Sequence, residues 1–309
     1  MAKLSDLGEK SVISRLLEIF DPDGLRSMGD DCAILDRGDD YLLVTTDMIY
    51  EKTHIPKGSA PGDVGWYAAA INLSDIAAMG GTPLGMLFAF GLPRDTDPEW
   101  LDSLVSGIQE CCSQHNAPVI GGDTKENDSV TISGTAIGTV RKSQMLRRSG
   151  ARPGDIVAMT GRLGRGVLWD RDRGNTRFLL RIEPRVKEGL HLASSGAVTS
   201  CIDMSDGLST SLHHLARSGK VGFEVDLDRI PMMDGLDRKG KLKALHSGGD
   251  YELLFTVNPK KIADIPGSAG NTPITHIGRV TEKGVTMTVD GKTECLADEG
   301  YEHFGKGWS

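Results

Sequence analysis

Tyr41-Leu42-Leu43-Val44-Thr45-Thr46-Asp47 is an apolar run that stops on a carboxylate, and Asp63 to Met79 (DVGWYAAAINLSDIAAM) follows it. The first stretch predicts a strand ending at Asp47. The second predicts a helix closed by Gly80-Gly81, since glycine readily takes the left-handed turn that ends a helix. A strand passing to a helix, with acidic residues at the junctions, sets the pattern for the rest of the chain.

Upstream, Ser11 to Phe20 predicts a short amphipathic helix through Val12, Leu16, Ile19 and Phe20. Downstream, Leu84 to Phe90 predicts a strand and Pro98 to His115 a helix. Pro118 to Ile120 predicts a short strand running into Gly121-Gly122-Asp123, and Val130 to Val140 another strand. Arg141 to Gly154 is basic and closes on Arg152-Pro153-Gly154, which places a boundary between domains 1–145 and 146–309. Beyond it, strands are expected at Asp155–Thr160, Val198–Ile202, Val221–Leu227 and Glu252–Val257, and a helix at Leu208–Arg217. Ile274–Val280 and Val285–Val289 look like a closing pair. Strands and helices mix in both halves, so the class is α/β or α+β.

Composition narrows the function. The 309 residues are 39% hydrophobic and 25% charged, as in an ordinary soluble protein. The net charge of −8, with no basic face, argues against nucleic acid. No apolar run is long enough to span a membrane. Asp6 and Glu9 fall too early for a signal peptide. Five cysteines without a C-x-x-C pattern read as reduced thiols, and the expected location is cytoplasmic. No Walker loop, Rossmann fingerprint, H-E-x-x-H or G-x-S-x-G is present. Gly161-x-x-Gly164-x-Gly166 reads at most as a phosphate-tolerant turn.

The chemistry lies in where the aspartates fall. Asp30 and Asp31 follow Gly29, Asp47 ends its strand, and Asp75 sits in Asn72-Leu73-Ser74-Asp75. Asp123 follows two glycines, Asp203 and Asp206 share Ile202-Asp203-Met204-Ser205-Asp206-Gly207, and Asp250 follows Gly249. Singly, an aspartate beside glycine is usually a turn residue or a helix cap. Together they suggest a cluster. Two like charges about 4 Å apart at an effective dielectric near 20 cost about 4 kcal/mol, so such a cluster calls for cations. Carboxylates with the hydroxyls of Thr45 or Thr46 form a hard-oxygen set that suits Mg²⁺, which commonly carries nucleotide phosphates. His54, seven residues past Asp47, could reach an anionic substrate; His213 and His214 read as ordinary helix residues.

These segments, with Arg148-Ser149-Gly150-Ala151 and Gly300-Tyr301-Glu302-His303-Phe304, follow one another in an order that resembles the thiamine-monophosphate kinase family. That family belongs to the superfamily of ATP-binding enzymes that includes aminoimidazole ribonucleotide synthetase. The resemblance covers nearly the whole chain. It implies a two-domain PurM-like fold: an N-terminal sheet-and-helix domain that dimerises and a C-terminal α/β domain. It implies phosphorylation of thiamine monophosphate by ATP through direct in-line transfer, with no residue acting as general base. Asp30, Asp31, Thr45, Thr46, Asp47, Asp75, Asp123, Asp203 and Asp206 would hold several Mg²⁺ ions, with Asp47, Asp75 and Asp123 central. Gly122, Asp123, Arg148 and Ser205 would contact ATP, and His54, Gly249 and Tyr301 the thiamine substrate. Gly249 stands where the family commonly has Glu. Rival readings are a sister enzyme such as aminoimidazole ribonucleotide synthetase and a non-catalytic cation- or nucleotide-binding protein.

Overall fold

The computed structural model describes residues 3–21, 29–172 and 174–303. Phe304 of the C-terminal motif and Met28 before Gly29 lie outside them. Two sheets organise the chain. The first holds β1 (Ala33–Asp36), β2 (Asp40–Tyr50), β3 (Thr82–Leu92), β4 (Val119–Glu126) and β5 (Thr131–Arg141), in the order β1-β2-β5-β3-β4. Every pairing in it is antiparallel except β3 with β4. Its helices are α1 (Glu9–Phe20), α2 (Glu51–His54), α3 (Pro61–Ala78) and α4 (Pro98–Gln114).

The second sheet holds β6 (Ile156–Thr160), β7 (Val198–Asp203), β8 (Gly222–Asp226), β9 (Leu253–Val257), β10 (Ser268–Ala269), β11 (Thr272–Thr281), β12 (Val285–Val289) and β13 (Lys292–Cys295). Its order is β13-β12-β8-β11-β6-β9-β7, with β10 on β11. Around it lie α5 (Arg165–Arg171), α6 (Thr176–Leu180), α7 (Val186–Ser195), α8 (Leu208–Gly219) and α9 (Arg238–Ala244). Mixed sheets with helices make this an α/β (α+β) molecule of two sheet-and-helix units. Among the described residues no helix is long and apolar enough to cross a membrane. The five cysteines are free thiols, four of them buried.

Helix α3 is the axis of the molecule. It starts on Pro61, whose fixed φ and missing N–H suit a first helical turn. It is apolar on nearly every side because it is covered on nearly every side: the first sheet, α4 and α7 all pack on it. Its approach to α4 is backbone to backbone. A Cβ on Gly65 would stand 1.9 Å from the Leu104 carbonyl oxygen, so only glycine permits this contact. The polar residues it buries are all partnered. Asp63 takes Arg177 and Arg181 from the second unit, Asn72 Oδ1 accepts from Asp47 N, and Ser74 donates to Asp203.

Several expectations change. β2 continues past Asp47 to Tyr50, because Asp47 is paired with Gly134 in the β2–β5 ladder. The Gly121-Gly122-Asp123 segment lies within β4 rather than beyond a strand end. The closing pair is not a pair. β8 lies between β11 and β12, antiparallel to one and parallel to the other. The 282–284 turn crosses over the start of β8, where Phe223 N donates to the Gly284 carbonyl at 2.7 Å. A Cβ on Gly222 would meet the Lys283 backbone at 2.2 Å. Helix α1 forms as expected but buries none of its residues.

One face of the first sheet packs on α3: the even residues of β5, from Ile132 to Val140, are all buried. The other face is open, with Leu35 55% and Met48 59% exposed, and Ile120 on the edge strand is 59% exposed.

Candidate active site

Three carboxylates from three separate elements converge. Asp31 precedes β1, Asp75 lies in the last turn of α3, and Asp203 ends β7 in the second unit. One oxygen from each lies within 4.8 Å of the others. Neighbouring groups orient them. Thr45 Oγ1 donates to Asp75 Oδ2 at 2.5 Å, and Ser74 Oγ to Asp203 Oδ2 at 2.6 Å. Arg148 binds Asp31 Oδ1 at 2.7 Å through Nη2. Asp31 Oδ2 is buried and has no hydrogen-bond partner among the described residues.

Burial raises the proton affinity of the whole group, and mutual repulsion adds to it. Asp203 is pushed up to about 8 by burial and by Asp31. Asp75 lies well above the usual carboxylate range through burial and the charges of Asp47 and Asp203. Asp47 is raised to about 6 by burial and Asp31, and Asp206 to about 6 by burial, Glu9 and Asp47. Asp31 is raised by burial despite the opposing pull of Arg148. Such carboxylates ionise together only beside a cation. An all-oxygen donor set with a buried, unpartnered oxygen fits Mg²⁺.

Three expected ligands make other contacts in this structure. Asp30 Oδ1 accepts from Arg148 N at 2.9 Å, so it holds the arginine segment in place. Thr46 points to the opposite face of β2 from Thr45 and Asp47, where its hydroxyl donates to the Gly134 carbonyl at 2.8 Å. Alternation along a strand dictates this, and any part played by Thr46 falls to its main chain. Asp123 is exposed on β4, with Oδ1 held by Lys125 Nζ at 3.0 Å and by Thr124 N. β4 is separated from β2 by β5 and β3, so three strand spacings, about 14 Å, keep Asp123 from the cluster. Asp123 and Gly122 instead border a cavity of about 400 Å³ with Phe88 and Ile108.

A larger cavity, about 720 Å³, lies beside the acidic cluster between the two units. His54, Ser205, Asp206, Gly249 and Tyr301 all line it. His54 Nδ1 accepts from Tyr50 N at 3.2 Å, and burial with the nearby His303 lowers its pKa, so the ring is neutral near pH 7. Ser205 fixes the facing loop by accepting Gly249 N at 2.8 Å through its carbonyl. Gly249 has φ +96°, and a Cβ there would meet only Leu179, at 3.7 Å. The missing side chain therefore leaves room rather than a clash. Tyr301 N donates to the Asp206 carbonyl, and its ring meets His303 edge-on at 4.9 Å.

Tyr67, Trp169 and Tyr251 also line this cavity, and none stood out in the sequence. Tyr67 lies inside an apolar helix pattern that reads as core. Tyr251 adjoins the Gly249-Asp250 segment, which offered the one available signal. In the Gly161–Gly166 turn, Gly164 N and Arg165 N both donate to Asp250, so these two amides are already engaged.

Known proteins share this architecture from end to end. Residues 29–140 match the AIR synthase related protein N-terminal domain, and residues 152–290 match the C-terminal domain of the same description. The thiamine-monophosphate kinase of Methanospirillum hungatei is 40% identical over 93% of this chain and 98% of its own length. That of Pyrococcus horikoshii is 36% identical over 98% of both. The chain belongs to the thiamine-monophosphate kinase family. A solved structure described as AaThiL complexed with AMPPCP and TMP superimposes with a TM-score of 0.84 at 27% identity, over 98% of this chain and 99% of that one. Family membership thus extends over both sheets and over the elements that carry Asp31, Asp75 and Asp203.

Proposed function

We propose that this chain transfers the γ-phosphoryl group of ATP to the phosphate of thiamine monophosphate, giving thiamine diphosphate and ADP. The observation that carries the reading is the convergence of Asp31, Asp75 and Asp203 beside an aromatic-lined cavity. The related structure described with AMPPCP and TMP supports it.

Both reactants are anionic, so the task is neutralisation and alignment. Asp31, Asp75 and Asp203, with Asp47 and Asp206 beside them, are the residues that would hold Mg²⁺. Bound there, Mg²⁺ supplies the positive charge that lets two phosphates approach in line. Thr45 and Ser74 keep two of the carboxylates oriented, and Arg148 adds a fixed positive charge. The acceptor phosphate has a second pKa of about 6, so its oxygen is largely ionised near pH 7 and needs no general base. His54, neutral in this setting, can hydrogen-bond the acceptor without drawing it away from the metals.

Arg148 and Ser205 take the nucleotide side, while Gly122 and Asp123, on the separate cavity, keep that assignment from the family resemblance alone. His54, Gly249 and Tyr301 face the thiamine side. A second copy of the chain covers the open face of the first sheet, giving a homodimer, and the setting is cytoplasmic. The test is production of ADP and thiamine diphosphate from ATP and thiamine monophosphate, with Mg²⁺ and with EDTA. Both products must appear only with metal. Nucleotide binding without thiamine diphosphate would overturn the reading.

A further inference from the structure

Tyr251 is held in a backbone conformation that a bulky side chain rarely adopts. Its φ is +51°, in the left-handed region. The other described non-glycine residues at positive φ are Asn116, Lys220 and Asp290, all exposed. Tyr251, by contrast, is half-buried and lines the large cavity. Both neighbours are locked: Asp250 caps α5, and Glu252 pairs with Arg185 at 2.5 Å. Tyr251 N donates to the Met204 carbonyl at 3.0 Å. Strain of this kind persists where the surroundings over-determine it, and it gathers at ligand clamps.

The strain delivers a hydroxyl to another hydroxyl. Tyr251 and Tyr67 meet oxygen to oxygen at 2.9 Å, with rings edge-on at 84°. Only one of them can donate in that bond. Neither has a second partner among the described residues, so one O–H donor is left unspent beside the cavity. Its place is defined. Tyr67 and Ser74 are seven residues apart on one face of α3, about 10 Å along the axis. Ser74 holds Asp203 of the acidic cluster, while Tyr67 lines the cavity. The hydroxyl pair therefore sits at the cavity on the helix face that leads to the acidic cluster.

We propose that the Tyr67–Tyr251 hydroxyl pair hydrogen-bonds a phosphate oxygen of the acceptor and makes the site select a phosphomonoester over the corresponding alcohol. This rests on the kinase reading given above. A neutral donor suits the position, because a lysine there would be captured by Asp47 and Asp206. Burial pushes Tyr67 up to about 12 and Tyr251 well above its usual range, so both remain donors at any working pH.

The test uses Tyr67→Phe and Tyr251→Phe in the full-length protein. Each keeps its ring and removes one hydroxyl. The readouts are KM for thiamine monophosphate, KM for ATP, the inhibition constant of unphosphorylated thiamine, and the melting temperature. A hydrogen bond to a charged group is worth about tenfold or more in affinity. The expected result is a rise of about tenfold in KM for thiamine monophosphate in the single variant that removes the outward-facing O–H and in the double variant, with KM for ATP and thiamine inhibition within twofold of wild type. The double variant should be no worse than the poorer single one, since the pair acts as a unit. Equal weakening of thiamine and its monophosphate would overturn the inference, as would a lowered melting temperature with unchanged KM, which would make the pair a structural latch. Wild-type protein that forms no thiamine diphosphate would overturn the kinase reading and this inference with it, and so separates the two failures.

Discussion

Ser74 Oγ donates to Asp203 Oδ2 at 2.6 Å, and through that bond the central helix of the first unit orients a carboxylate of the second. The active site exists only where the two units meet. Asp63 reinforces the junction with Arg177 and Arg181, and Trp66 does so with an indole N–H donated to the Ile182 carbonyl at 2.6 Å.

Asp75→Asn should abolish turnover while the fold survives. The carboxylate is raised by burial and by its charged neighbours, so removing it relieves repulsion in the metal-free protein. Thiamine diphosphate formation should fall at least a hundredfold, with the melting temperature in EDTA equal to or above that of wild type. Near-normal activity would remove Asp75 from the metal site.

Metal-free protein should lose stability as pH rises from 6.5 to 8. Asp203 at about 8 and Asp250 at about 7 have folded pKa values above those of the unfolded chain. The native state then binds more protons than the unfolded state, and its stability falls as those protons leave. His115 and His214, lowered to about 4, work in the opposite direction, but only below about 6.5. Melting in EDTA should drop by about a few degrees across the window. Mg²⁺ should raise the melting temperature more at pH 8 than at pH 6.5.

Arg148→Met should destabilise the metal-free protein. The Asp31 side chain is fully buried and Arg148 is its charged partner at 2.7 Å. Breaking a buried pair by removing one member costs about 3 kcal/mol or more. Urea denaturation in EDTA should show the loss, and Mg²⁺ should restore part of it by taking over Asp31. An unchanged midpoint would mean that Asp31 is already protonated in the resting protein.

Tyr301→Ala should raise KM for thiamine monophosphate more than KM for ATP. Its ring stands in the large cavity, edge-on to His303. Loss of an aromatic wall predicts an effect of about tenfold on the first constant and little on the second. Equal changes in both would argue against a pocket role.

Met48→Arg should weaken self-association. Met48 is 59% exposed on the open face of the first sheet. Sedimentation of wild type should give a dimer, and the variant should shift toward monomer at micromolar concentration. A monomeric wild type would leave the open face without the proposed partner.

The sequence determined the local elements, because they follow from short-range rules. The apolar run before Asp47, the helix pattern from Asp63 to Met79 closed by Gly80-Gly81, and the alternation from Val130 to Val140 are each legible within a few residues. The acidic residues beside glycine or strand ends were legible for the same reason, and their order along the chain marked the family. Tertiary structure decided which of them meet. Asp31, Asp75 and Asp203 lie far apart in sequence and join only because α3 is buried between the two sheets, while sheet order carries Asp123 three strands away. Strand alternation turned Thr46 outward once the register of β2 was set by β5. Tyr67 and Tyr251, 184 residues apart, became partners through packing across the units. No local pattern encodes such distances, which is why periodicity reveals the elements and only the folded chain reveals the site.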